Sequence, residues 1–180
     1  MTAPPVARFT REEFLRLPES SPGFRFELVD GELVTMNDPL PLHQVVVGTV
    51  YAELRRWCRA VEGRGRVLLS IDTEVGPDAI VGPDLQWLAA GRELPDLQRR
   101  PWPAGDLVIE VASPSTERYD AGTKLARYLA AGSQEVWLVT PEPLGVRIVR
   151  PDGERRIDAG GMLTSGLLPG FELRVAELLD

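Results

Sequence analysis

The sequence predicts an α/β fold: a central mixed β-sheet with helices on its faces and an N-terminal β-hairpin. Three observations lead there. Asp30-Gly31 divides two strand-like runs, Phe24 to Val29 and Glu32 to Met36, and Asp-Gly is a strong short hairpin signal. Leu42, Val46, Val50, Leu54, Trp57 and Val61 recur at helical spacing and predict one long amphipathic helix. Leu107 to Ala112 and Glu135 to Val139 are near-continuous apolar runs, separated by a segment with helical character. Strands buried on both faces read that way, so the sheet has a covered interior.

The elements follow in chain order. Residues 1–9 are rich in Pro and Ala and form a flexible start; residues 10–180 form one domain. Thr10-Arg11-Glu12-Glu13 fits a capping box and opens a short helix ending near Leu17, before Pro18. After the hairpin, Asn37 to Pro41 lead into the long helix, about Leu42 to Val61. Gly63-Arg64-Gly65 breaks it, and Arg66 to Val75 reads as a strand. Gly76-Pro77-Asp78 makes a turn, and Gly82-Pro83 introduces the strand Asp84 to Leu88. Residues 89–105 form a Pro/Arg-rich loop anchored by Trp102. The strand at 107–112 precedes a Ser/Pro turn and a helix carrying Lys124, closed by Gly132. A second hairpin pairs Val146 to Val149 with Arg155 to Ile157 around Pro151-Asp152-Gly153. Leu167 to Leu173 is irregular, and Val175 to Leu179 is a short closing helix.

Composition narrows the function. With 43% hydrophobic and 26% charged residues, the chain is an ordinary soluble globular protein. No apolar run is long enough to span a bilayer, and the first residues lack the apolar core of a signal peptide. The single cysteine, Cys58, has no internal partner and suits a reducing, cytoplasmic compartment, where it serves as a small apolar helix residue. A net charge of −7 argues against strong sequence-blind nucleic-acid binding, though not against local basic patches.

Two residues break the pattern around them. Glu110 lies inside the apolar run at 107–112, where a carboxylate is costly unless it is paired or holds a cation. Lys124 is the only lysine in a chain whose Lys+Arg total is 20. Lysine is a compact, mobile point charge, and arginine cannot replace it in a tight site. Asp84 follows Gly82-Pro83, so its carboxylate stands at a restrained strand start. Asp84 and Glu110 converging from neighbouring strands would form an all-oxygen site for Mg²⁺ or Mn²⁺. A nearby Lys124 would hold a nucleophile or offset charge on a phosphate. Taken singly, each has a plainer role: Lys124 as a surface partner of Asp120, Glu110 as a structural acid paired with an arginine, Asp84 as a turn cap.

Together, Gly82-Pro83-Asp84, Glu110-Val111-Ala112-Ser113-Pro114-Ser115, Asp120, Lys124-x3-Tyr128, Gly132 and Val136-Trp137 resemble a known pattern. Phe26 to Glu32 and Pro41-x-His43 extend it. It is that of the putative restriction endonuclease family (the Uma group) of the PD-(D/E)xK nuclease superfamily. The resemblance spans roughly residues 10 to 178 and rests on the order and spacing of its pieces. It implies a restriction-endonuclease-like fold and metal-dependent cleavage of phosphodiester bonds, with DNA as substrate and a homodimer or higher homo-oligomer as the working form. It also implies that Asp84, Glu110 and the backbone carbonyl of Val111 ligate the metal, with Lys124 as the catalytic cation.

One departure stands out. The superfamily lysine belongs two residues after Glu110, where this chain has Ala112. Lys124, from the following helix, is the only candidate to supply it. Glu27 is either solvent-facing or a further acid at the metal. His43 is either a hydrogen-bonded helix-end residue or a support for the ligand acids or phosphate. By the same resemblance, Asp120 and Tyr128 back the site or contact substrate. Arg55 and Arg59, with Arg56, Arg64 and Arg66, form a positive cluster, either a solvated helix face or a phosphate-contacting rim.

Other chemistries fit poorly. No Cys/His spacing suits zinc, and no histidine follows Ser113, Ser115 or Thr116 to complete a Ser-His-Asp triad. No Gly-rich loop of P-loop or Rossmann spacing is present. The competing reading is a non-catalytic DNA- or protein-binding module that keeps the nuclease fold.

Overall fold

The structure is a computed structural model; it describes residues 8–17, 24–113 and 120–180. Most of the expected flexible start, residues 1–7, lies outside the described residues. The expected α/β architecture is present, with its strands divided between two large mixed sheets. In chain order the elements are α1 (Arg11–Leu15), β1 (Phe24–Val29), β2 (Glu32–Asn37), α2 (Pro41–Ala60), β3 (Arg66–Leu69), β4 (Thr73–Gly76), β5 (Ala79–Val81) and β6 (Leu85–Leu88). They continue with β7 (Trp102–Pro103), β8 (Leu107–Val111), a π-helical turn (Asp120–Lys124), α3 (Leu125–Ala130), β9 (Glu135–Pro141), β10 (Leu144–Arg150) and β11 (Gly153–Asp158). β12 (Met162–Thr164), β13 (Glu172–Arg174) and a 3₁₀ helix (Val175–Leu179) close the chain.

The central sheet runs β11-β10-β9-β8-β6-β3. Only β8 and β9 are parallel within it, and α3 makes the crossover between them. The second sheet runs β2-β1-β5-β4-β7 and carries the N-terminal hairpin. That hairpin turns as its sequence requires: Asp30 and Gly31 both have positive φ, at 52° and 78°.

Three apolar clusters set the layers. One joins α2 and the 3₁₀ helix to one face of the central sheet, through Val46, Val50, Leu54, Trp57, Leu107, Ile109 and Leu178. A second fills the space between the central sheet's other face, α3 and the second sheet, through Val108, Val136, Tyr128, Val29 and Val81. A third packs α1 on the outer face of the second sheet, through Phe14, Leu28 and Ile80.

Several boundaries differ from the sequence reading. The strand expected over Arg66 to Val75 is two strands in different sheets, because the chain bends at residues 70–72. β5 was too short, at three residues, to stand out from the turn before it. Trp102 is buried and donates its Nε1–H to the Arg99 carbonyl; it anchors the loop, as expected, and also forms a short strand on β4. Within the expected irregular stretch, Glu172–Arg174 pairs with β12. In α2 the apolar stripe is buried from Val46 to Trp57, while Leu42 and Val61 at its ends are exposed. Pro41 occupies the first turn of that helix, where a missing N–H costs nothing.

Candidate active site

The antiparallel register of β6 and β8 pairs Leu85 with Ile109. Carried one residue outward, it sets Asp84 opposite Glu110. The two acids are tied together through the backbone. The Asp84 N–H donates to Glu110 Oε2 at 3.3 Å, and the Val111 N–H donates to Asp84 Oδ2 at 2.8 Å. His43, from the first turn of α2, places Nε2 3.1 Å from the same Asp84 oxygen. Asp84 Oδ1 has no hydrogen-bond partner among the described residues.

Lys124 arrives from the opposite side, on the helical segment. Its Nζ lies 2.7 Å from Glu110 Oε1 and 3.3 Å from Glu27 Oε1, and its side chain is 1% exposed. Lys124 is therefore not a surface residue, and its expected pairing with Asp120 falls on a side chain outside the described residues. Tyr128, four residues on and so on the same helix face, donates its hydroxyl to Glu110 Oε1 at 2.5 Å. Lys124 ends a π-helical turn, a widening of the helix often found at functional sites.

Glu27 is buried, which removes the solvent-facing alternative. Its Oε1 accepts from the Gly82 N–H at 2.9 Å as well as from Lys124. It thus clamps the loop that delivers Asp84 to the helix that delivers the ammonium. Arg25, two residues earlier on the same face of β1, was not singled out from sequence. It donates to the Gly82 carbonyl at 3.1 Å and to the Ser70 hydroxyl, and lies 3.8 Å from Glu27. A Cβ at position 82 would come within 3.1 Å of the Arg25 guanidinium carbon, so the glycine there makes room for it. Period-two alternation from Glu27 was the signal that would have found Arg25.

Arg25, His43, Asp84, Glu110, Val111 and Lys124 border one cleft of about 640 Å³, with Glu27 and Tyr128 behind them. Asp84 titrates below the usual carboxylate range. Burial pushes it up, but the His43 hydrogen bond and charge, the Val111 N–H and the Lys124 charge together outweigh that. Arg55 and Arg59 are not at this cleft. They follow His43 by 12 and 16 residues on α2, and at ~1.5 Å per residue the helix carries them ~18 and ~24 Å away. Arg55 instead lies over the Tyr51 ring and bonds its hydroxyl.

The donor chemistry suits a hard divalent cation. Among the described residues, Glu27, Asp84 and Glu110 bring three carboxylates to a buried region that also holds the Lys124 ammonium, with Arg25 peripheral. Asp84 and Glu110 offer carboxylate oxygens of the kind a hard divalent cation takes, and the His43 imidazole stands beside them on Asp84. Among the described residues no group of three or more His, Cys, Asp or Glu side chains is placed to hold a metal ion by itself. Mg²⁺ commonly keeps several waters and binds one or two carboxylates plus substrate phosphate, so two acids such as Asp84 and Glu110 are within the number it takes.

Two sheets, a parallel β8–β9 pair with a helical crossover, and facing acids beside a helix-borne lysine define a mixed α/β protein with a candidate acid–lysine site. A solved structure shares this fold. The chain matches a crystal structure titled as a putative nuclease belonging to DUF820 from Anabaena variabilis, with a TM-score of 0.82 and 21% identity over 95% of this chain and 97% of that one. The family comparison names the group: residues 11–176 match the Uma2 family model, described as putative restriction endonuclease, and the chain belongs to that family. Curated proteins yielded no match. No helix among the described residues is long and apolar enough to cross a membrane.

Proposed function

We propose that this protein is a divalent-metal-dependent endonuclease that hydrolyses phosphodiester bonds in DNA. One observation carries the reading: the chain's only lysine is buried in the cleft, 2.7 Å from Glu110, with Glu110 backbone-linked to Asp84. In this reading Asp84, Glu110 and the carbonyl of Val111 hold Mg²⁺ or Mn²⁺. When bound, the ion supplies a water acidified for attack and neutralises charge on the phosphate. Lys124 orients the attacking water and offsets charge that develops on the phosphoryl oxygens. Tyr128 fixes the Glu110 carboxylate, and His43 fixes Asp84. Glu27, whose Oε1 already accepts two hydrogen bonds, positions Lys124 rather than ligating the metal. Cutting both strands of a duplex calls for two such clefts, which a homodimer supplies. Burial pushes the Cys58 thiol up, which leaves it unreactive and compatible with a reducing cytoplasm.

The test is cleavage of plasmid and oligonucleotide DNA with Mg²⁺, Mn²⁺ or EDTA. Wild type should cut only with metal. Asp84→Asn, Glu110→Gln and Lys124→Ala should each lose about 10²-fold or more, the scale for removing one group that stabilises transition-state charge. A folded wild type inert on duplex and single-stranded DNA with both metals would transfer the site to the binding-module reading.

A further inference from the structure

The line of residues that begins at Glu110 continues across the central sheet. Glu110 is opposite Leu138 in the β8–β9 register, Leu138 opposite Arg147 in β9–β10, and Arg147 opposite Arg156 in β10–β11. Directly opposed residues share a face. Glu110, Leu138, Arg147 and Arg156 therefore form one row, on the face where Lys124 and Tyr128 meet Glu110. A second depression, of about 510 Å³, lies along this row and is bordered by Glu110, Ala112, Gly145, Arg147 and Arg156. Glu110 borders both depressions, so they adjoin at this residue.

The two arginines are held ready. Glu154 accepts from Arg147 Nε at 2.8 Å and lies 4.0 Å from Arg156 Nε. Glu154 thus faces the Nε edge of each guanidinium, and the terminal amino groups of both have no hydrogen-bond partner among the described residues. A guanidinium presented that way suits a phosphate, which it can bind with two parallel N–H donors. Asp158 also borders the depression, and the whole chain carries −7, so the row is a local cationic track on an acidic protein.

Distance fixes what the track would hold. With strands ~4.8 Å apart, β10 and β11 lie ~10 and ~14 Å from Glu110. At ~3.4 Å of rise per nucleotide along one strand, that is about three to four nucleotides. We propose that Arg147 and Arg156 form a phosphate-binding subsite for DNA, engaging the backbone three to four nucleotides from the bond held in the cleft. This deepens the nuclease reading and rests on it.

The experiment measures binding apart from cleavage. Fluorescence anisotropy in EDTA, on the Asp84→Asn background, would follow labelled DNA of graded length over a salt series. Adding Arg147→Gln and Arg156→Gln should make the log–log salt dependence shallower by about 1.8 on duplex and about 1.4 on single-stranded DNA, the increment for two lost phosphate contacts. The effect should vanish on oligonucleotides too short to reach four nucleotides past the cleft. Thermal unfolding of the double variant checks that its fold is intact, and single substitutions replace it if it is not. Equal affinities and slopes with and without the arginines overturn the subsite while wild-type cleavage, measured in parallel, still supports the nuclease. Absence of both DNA binding and cleavage overturns both.

Discussion

Removing the Lys124 ammonium tests the candidate site at its centre. In Lys124→Met the aliphatic bulk stays and the charge goes. Two carboxylates, Glu110 and Glu27, then remain in a pocket where the three side chains are 3% exposed or less. Breaking a buried ion pair by deleting one partner costs about 3–5 kcal/mol. Here the lower end applies, because Tyr128 still donates to Glu110 and Gly82 still donates to Glu27. For a chain of this size, ~2–4 °C of Tm follows each kcal/mol, so a loss of about 3 kcal/mol lowers Tm by ~6–12 °C. Glu27→Gln in the same background should recover part of the loss by removing one of the two buried negative charges.

Metal separates an ion-pair role from a site role. The ammonium competes with any cation for Glu110, so the Mg²⁺-induced rise in Tm should be larger in Lys124→Met than in wild type. A ligand at 100 times its Kd stabilises by about 2.7 kcal/mol, so the rise is of measurable size. Asp84→Asn should abolish it in both backgrounds. Differential scanning fluorimetry at constant ionic strength, with EDTA and with Mg²⁺, provides all the readings. A Tm unchanged by Lys124→Met, or a Mg²⁺ shift indifferent to Asp84, would refute the reasoning.

Two other predictions address the surroundings. Asp106 accepts from the Ala89 N–H, Arg92 and Gln134; burial raises its pKa, but those partners outweigh it and the net shift is downward. A lowered folded pKa means its stabilisation is complete above the unfolded value of ~3.9 and is lost as pH falls through the folded one. Denaturant melts should therefore show Asp106→Asn flattening the acid loss of stability below about pH 4, and an unchanged profile would count against it. Gly82→Ala should destabilise by ~1 kcal/mol through its clash with Arg25, and Arg25→Ala should relieve that penalty. Additive effects in the double-mutant cycle would show that the contact does not constrain residue 82.

The hairpin, the long helix and the two buried strands were legible because each carries a local signature. Asp30-Gly31 adopts the positive φ values its residue types favour, Thr10 and Glu13 form the reciprocal capping box, and Gly132 ends its helix at φ 97°. What was not legible is how strands divide between sheets. β3 and β4 are separated by three residues and join different sheets, and nothing local tells a bend from a continuing strand. Glu27 was equally ambiguous, since alternation in a hairpin does not say whether its face meets water or a second sheet. Glu135 shows the converse. It is as buried as Glu110, yet Arg150 and the Trp137 indole hold both of its oxygens, and it lines neither of the two depressions at Glu110. Burial alone does not mark a site; burial with a cleft and a neighbouring acid does.

The displaced lysine has a consequence for shape. In a strand, residue 112 falls on the same face as Glu110, and there the chain has Ala112. Lys124 and Tyr128, one helical turn apart, reach the Glu110 carboxylate from above the sheet. A long side chain at 112 would occupy the space where the second depression meets Glu110; an alanine leaves it open, and Ala112 lines it. Supplying the ammonium from the helix thus frees the sheet surface that leads to Arg147 and Arg156. Returning the lysine to the strand, as Ala112→Lys with Lys124→Met, should retain the charge near Glu110 but obstruct that surface. Affinity for long DNA should then fall more than affinity for short DNA in the same anisotropy assay. Equal losses at all lengths would mean that the open track beside Ala112 plays no part in holding DNA.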